Sequence, residues 1–189
     1  MNAIVLLPLG GADRNAVRDL AEPLSRIFDA RVDVREMTLD MGQFLDPARQ
    51  QYHAGSLLSY LSSNAGTVVG APRGRRRAPK ILGVVAEDLF SSILTFVFGE
   101  ADPRGRTALV SSHRLTPERY VLAPDPVLLA TRFRKEAVHQ LGHTYGLLHC
   151  GDQACVMHVS TDVASIDLKS DAFCRECAGL LHRPSGDRL

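Results

Sequence analysis

His139, His143 and His149 fall within the run HQLGHTYGLLHC at spacings that can assemble one metal site. On a helix, His139 and His143 lie one turn apart on the same face. Gly146 follows three residues later, where glycine can take the left-handed conformation that ends a helix and reverses the chain. That turn brings His149 round to the same point. Three neutral imidazoles with an open fourth position suit a catalytic zinc, which polarises a carbonyl and acidifies bound water. In the H-E-x-x-H arrangement of hydrolytic zinc sites, the residue after the first histidine is a glutamate base. Here that place holds Gln140, a neutral amide that cannot accept a proton from water.

The four cysteines form two close pairs, Cys150 with Cys155 and Cys174 with Cys177. Pairs of this kind on separate loops build a tetrahedral thiolate cage for a structural zinc. Two disulfides or inert buried thiols are the competing readings. Clustering within one short stretch and a reducing compartment weigh against them. A zinc here folds a tail too poor in apolar residues to hold itself together. Because Cys150 directly follows His149, the two metal sites are mechanically linked. Met157, eight residues after His149, is placed to form an apolar floor beneath the histidines.

The elements that must position these residues can be read from periodicity. Ala3–Leu9 is an apolar, branched run that predicts a buried strand rather than a signal peptide, having no basic residues before it. Asn15–Phe28 has a helical stripe, Arg31–Met37 alternates as a half-buried strand, and Pro47 opens a predicted helix over Ala48–Ser62. Lys80–Ala86, Leu94–Phe98 and Thr107–Ser111 predict strands, with a turn-rich Gly99–Arg106 between the last two. Asp125 and Pro126 open a long helix, Val127–Tyr145, that carries the first two histidines. No internal repeat is visible. Strands and helices alternate, then strands precede the long helix, which gives an α+β (mixed α/β) domain.

Composition narrows the function classes. The chain has 189 residues, 45% hydrophobic and 23% charged, enough for a sizeable core. A formal net charge of +1 disfavours a protein that seeks polyanions. The one basic cluster, APRGRRRAP at Ala71–Pro79, lacks interleaved aromatics and reads as a solvated loop, so no nucleic-acid partner is expected. No apolar run approaches the ~20 residues of a membrane helix, so no membrane partner is expected either. The expected state is soluble and cytoplasmic.

The run HQLGHTYGLLHCGDQACVM followed by FCREC resembles the archaemetzincins, and so do KILGVVAEDLF, LTFVFGEAD, TALVSSHRL and RFRKEAVHQLGH in their order. An extended zinc-helix motif with a downstream methionine turn is the metzincin signature. The resemblance implies a single metzincin-like zinc-peptidase domain over 1–189: a mixed twisted sheet with an antiparallel edge strand and the active-site helix in 1–149, and the methionine turn with the structural zinc segment in 150–189. It implies two zinc ions, one held by His139, His143 and His149 above Met157, the other by Cys150, Cys155, Cys174 and Cys177. It also implies that the LTFVFGEA strand, with Phe96, Val97, Phe98 and Gly99, pairs with an extended peptide or protein substrate.

The resulting expectation is a monomeric zinc metalloprotease whose hydrolysis is weak or absent because Gln140 replaces the base. A zinc-containing, non-catalytic peptide-binding pseudo-peptidase is the alternative. Glu136 and His158 are the nearest substitutes for the missing base, but an exposed carboxylate and a packed or solvated imidazole are the expectation for them. Glu87 and Asp88 read as a solvated turn after a strand.

Overall fold

A computed structural model describes residues 2–69 and 78–181. Chain order runs β1 (Asn2–Pro8), α1 (Arg14–Asp19), α2 (Ala21–Phe28), β2 (Ala30–Val34), β3 (Leu45–Asp46), β4 (Gln51–His53), α3 (Ala54–Val69) and β5 (Lys80–Val85). It continues through β6 (Leu89–Phe90), β7 (Gly99–Ala101), β8 (Thr107–Ser111), α4 (Pro126–Thr144), α5 (Val163–Leu168) and α6 (Arg175–Leu181). The main sheet has the order β2-β1-β5-β8-β7, parallel except for β7, which runs antiparallel along one edge. A small second sheet joins β3, β4 and β6.

Strand alternation divides the core into two layers. Ile4, Leu6, Leu82, Val84, Ala108 and Val110 face α2 and α4. Val5, Leu7, Ile81, Val85 and Leu109 face α3. Strands buried on both faces explain why these segments read as continuous apolar runs. Among the described residues, no helix is long and apolar enough to cross a membrane.

Three sequence expectations are corrected. Asn15–Phe28 forms two helices instead of one, because Pro23 cannot donate to the carbonyl of Asp19 and its ring crowds that group. The helix expected over Ala48–Ser62 begins only at Ala54. Before it, Asp46 Oδ1 accepts from the amides of Ala48 and Arg49, so Pro47 opens a tight turn between β3 and β4 instead of a helix. Leu94–Phe98 is not a regular strand: its one ladder contact is the Val97–Leu89 bridge, and pairing to β8 starts at Gly99, inside the segment expected to be a turn. A local turn closed by Ser91 and Leu94 deflects the chain, and side chains rather than a neighbouring strand take the Thr95 carbonyl. The basic cluster falls, except for its last two residues, outside the described residues.

Val121 holds a left-handed φ of 60° while 96% exposed. A β-branched residue pays about 1–2 kcal/mol for that conformation, whereas asparagine tolerates it. Val121→Asn is expected to stabilise the protein by ~1 kcal/mol in urea titration; a loss of stability would contradict this.

Candidate functional site

The site is built from the far end of α4. Asp125 caps the helix by accepting from the Leu128 amide at 2.9 Å, with Pro126 in the first turn. At the other end Gly146 takes a φ of 83°. Its amide bonds the His143 carbonyl at 2.8 Å, and the Leu147 amide returns to Gly142 at 3.1 Å. The Leu147 carbonyl then accepts from His143 Nδ1 at 2.8 Å. One glycine turn thus both reverses the chain and orients a histidine.

His139 Nδ1 lies 2.8 Å from the Val156 carbonyl. A carbonyl only accepts, so on both His139 and His143 the proton sits on Nδ1 and the Nε2 lone pair is bare. Those two Nε2 atoms face each other at 3.1 Å. Ring nitrogens of His139, His143 and His149 all lie within 4.8 Å of one another. Bare lone pairs repel at such range unless a cation lies between them. Zinc–nitrogen bonds of about 2.0–2.1 Å give a tetrahedral edge of about 3.3 Å, so the donor set fits zinc. Burial pushes the His139 imidazole well below its ordinary range, with the Lys169 charge adding to it. Burial also lowers His143 and His149. All three are held neutral, as metal ligation requires.

Met157 is fully buried beneath α4. A Cβ at Gly142 would come within 2.5 Å of its sulfur, so the missing side chain makes room for it. Gly142→Ala is expected to cost ~1–3 kcal/mol through overpacking, read by urea titration; an unperturbed midpoint would contradict this packing.

The sulfurs of Cys150, Cys155, Cys174 and Cys177 also gather within 4.8 Å, and none is in a disulfide. Cys150 and Cys174 sulfurs are 3.8 Å apart, matching the ~3.8 Å edge of a tetrahedron with Zn–S bonds of about 2.3 Å. Amides of Met157 and Cys174 point at Cys155 Sγ from 3.4 and 3.3 Å, donors suited to a thiolate. Burial and the neighbouring thiols raise Cys177 above an ordinary thiol, and four sulfurs gathered this closely are the donor set of a tetrahedral zinc.

The two clusters are physically joined. Cys150 follows His149, its amide bonds the Met157 carbonyl at 3.0 Å, and its carbonyl accepts from His158 Nδ1 at 2.9 Å. His158 is therefore a strut between the clusters, within the packed reading expected for it. Val156, which orients His139, sits between Cys155 and Met157.

A cleft of about 430 Å³ opens over the histidines, and Gln140 lies on its floor. Phe96, Val97, Phe98 and Gly99 form one wall, Val159, Ser160 and Thr161 the other. Gly99 allows the edge strand to close on the base position: a Cβ there would stand 2.8 Å from Gln140 Cγ.

Two carboxylate expectations fail. Glu136 is not exposed: it pairs with Lys169 at 2.8 Å, the two side chains 3% and 0% exposed. Asp88 is no solvated turn, since it holds Arg114 through both oxygens at 2.6 and 2.7 Å and accepts from Gln51 at 3.0 Å. Glu87 accepts from the Gly11 amide at 2.9 Å, closing the loop after β1.

Residues missed from sequence include Arg132, Lys135 and Lys169. Arg132 grips Asp167 at 2.7 and 2.6 Å, and Lys135 caps the carbonyls of Ile166 and Asp167. Spacing of 132, 135, 136 and 139 along one helix face was the available signal, since it puts those charges on the side of the histidines.

A mixed sheet with an antiparallel edge strand over a helix-borne cluster of three histidines can present a zinc ion to a peptide, which is the chemistry of a zinc metallopeptidase. The sequence matches the profile of peptidase family M54 over residues 14–183. The archaemetzincin of Pyrococcus furiosus is 35% identical over 188 residues, covering 97% of this chain and 94% of that protein. The crystal structure of archaemetzincin from Methanopyrus kandleri superimposes with a TM-score of 0.77 at 35% identity, covering 96% of this chain and 94% of that one. A zinc-dependent peptidase from Methanocorpusculum labreanum gives a TM-score of 0.84 at 28% identity, covering 95% and 100%. The chain belongs to the archaemetzincin family, peptidase family M54.

Proposed function

We propose that this chain is a single-domain zinc metallopeptidase fold with a disabled proton relay. In this reading His139, His143 and His149 hold a catalytic zinc, Met157 forms the methionine turn of a metzincin, and the four cysteines hold a second, structural zinc. The observation that carries it is the pair of bare Nε2 atoms at 3.1 Å, each fixed by a backbone carbonyl behind it. When bound, zinc supplies Lewis acidity for a carbonyl and acidifies water. The chain's own residues do the rest. Gly99–Ala101 offers an antiparallel strand edge to an extended peptide. Gln140 can hydrogen-bond at the base position but cannot carry a proton to a leaving amine. Peptide binding with weak or absent turnover follows, and four closely spaced thiols support a reducing compartment such as the cytoplasm.

The test is a mixed peptide library offered to the zinc-loaded protein with and without chelator. Chelator-sensitive binding with little cleavage is expected. Rapid cleavage, whether or not chelator abolishes it, would contradict the reading. Gln140 also favours a second reading, a pseudo-peptidase that works by binding peptides; the Gln140→Glu exchange separates the two.

The joint between the clusters carries a further expected result. Cys150→Ser is expected to weaken zinc at the histidines by ~10–100-fold, the usual scale for a disturbed supporting shell. Chelator competition with cobalt as a spectroscopic reporter checks it; an unchanged histidine-site affinity would show the clusters to be independent.

A further inference from the structure

Phe96 and Phe98 make a wall of the histidine cleft that neither metal binding nor strand pairing accounts for. Two residues apart, they pack toward the α4 layer, while Val97 between them packs toward the α3 layer. Their rings meet edge to face at 5.4 Å. The Arg114 guanidinium lies 4.2 Å over the Phe96 ring and is itself locked by Asp88. Just before Phe96, the Thr95 carbonyl accepts from Arg49 at 3.0 Å and from Gln51 at 3.1 Å, and Gln51 also donates to Asp88. An irregular segment is thereby fixed by four polar side chains, so its aromatic wall is set before any ligand arrives.

Most charges around this wall are paired or turned away from it. Asp88 answers Arg114, and Lys169 answers Glu136 on the cleft floor. Glu100 turns its carboxylate toward Gly55 and His53 on the α3 side. A charged side chain entering beside Phe96 loses water, and the nearby Arg49 is already committed to Gln51, the Thr95 carbonyl and the Phe90 ring. An apolar one gains burial against the Phe96 ring, which Phe98 backs from the core, and against Val159 across the cleft.

We propose that Phe96 is the specificity-determining residue of a subsite for a large apolar side chain, aliphatic or aromatic, of the peptide substrate. The proposal rests on the peptidase reading above. Strand pairing through Gly99–Ala101 uses main-chain groups and accepts any sequence; the Phe96 wall is what discriminates.

The test uses the zinc-loaded chain and fluorescein-labelled, end-blocked hexapeptides of alanine in which one position at a time becomes Leu, Phe, Asp or Lys. Binding is followed by fluorescence anisotropy. At one position Leu or Phe is expected to bind at least about tenfold tighter than Ala, with Asp and Lys no better than Ala. Phe96→Ala is expected to shrink that preference below about threefold, and Phe96→Leu to move the optimum toward larger side chains. Asp or Lys binding as tightly as Leu overturns the proposal. So does a preference left unchanged by Phe96→Leu, which decides the matter even if Phe96→Ala does not fold. Peptide binding without any side-chain preference defeats the subsite alone, whereas no peptide binding by the folded, zinc-loaded protein defeats the peptidase reading with it.

Discussion

Replacing Gln140 with glutamate is expected to raise peptide hydrolysis by ~10²–10⁴-fold, the usual worth of a positioned general base. The exchange keeps the carbon skeleton, so the new carboxylate occupies the space that Gln140 fills against Gly99. Glutamate and glutamine differ little in helix propensity, so α4 is left as it is. The side chain is not one of the clustered ring donors, and zinc content should stay the same. What changes is proton chemistry alone: a carboxylate can take a proton from water and return it to the departing amine. The gain should appear in kcat with a small change in KM, because the lost interaction belongs to the transition state. Steady-state rates on a peptide selected from the library measure it. An unchanged rate in a variant that still holds zinc and binds peptide would favour the binding-module reading.

Lys169→Met is expected to cost ~3–5 kcal/mol of stability in the zinc-saturated protein. Lys169 and Glu136 bury their charges almost completely and meet at 2.8 Å, linking α4 to the segment after α5. Removing the ammonium strands a carboxylate without solvent one helical turn before Gln140. Adding Glu136→Leu should return most of the loss, since a buried ion pair is often matched by apolar residues of similar volume. Urea titration of both variants checks this. A double variant as unstable as the single one would show that shape, and not the unpaired charge, sets the cost.

The histidine cluster was legible because metal ligation dictates residue type and spacing within one short run. Gly146 takes the left-handed turn that its position between His143 and His149 demands. The four cysteines converge as their pairing suggests. β1, β5, β8 and α4 were legible because their apolar patterns are long and unbroken. The hairpin of β3 and β4 was not, since Pro47 starts a turn as readily as a helix and only Asp46 decides between them. Nor was the true extent of the edge strand: the residues that hold Thr95, namely Arg49 and Gln51, lie more than forty positions away. Separations of 31 to 35 positions likewise hid the partners of Arg132, Lys135 and Glu136. A charged run on a helix reads as a solvated face until the segment that covers it, here 166–171, is in place.

Zinc per chain is the measurement that tests the central claim most directly, made by elemental analysis on the unaltered protein and on His143→Ala. Two zinc ions per chain, falling to one in His143→Ala while the cysteine-bound ion persists, is the expected result. One ion in both proteins, or none, would contradict a histidine site built to hold metal.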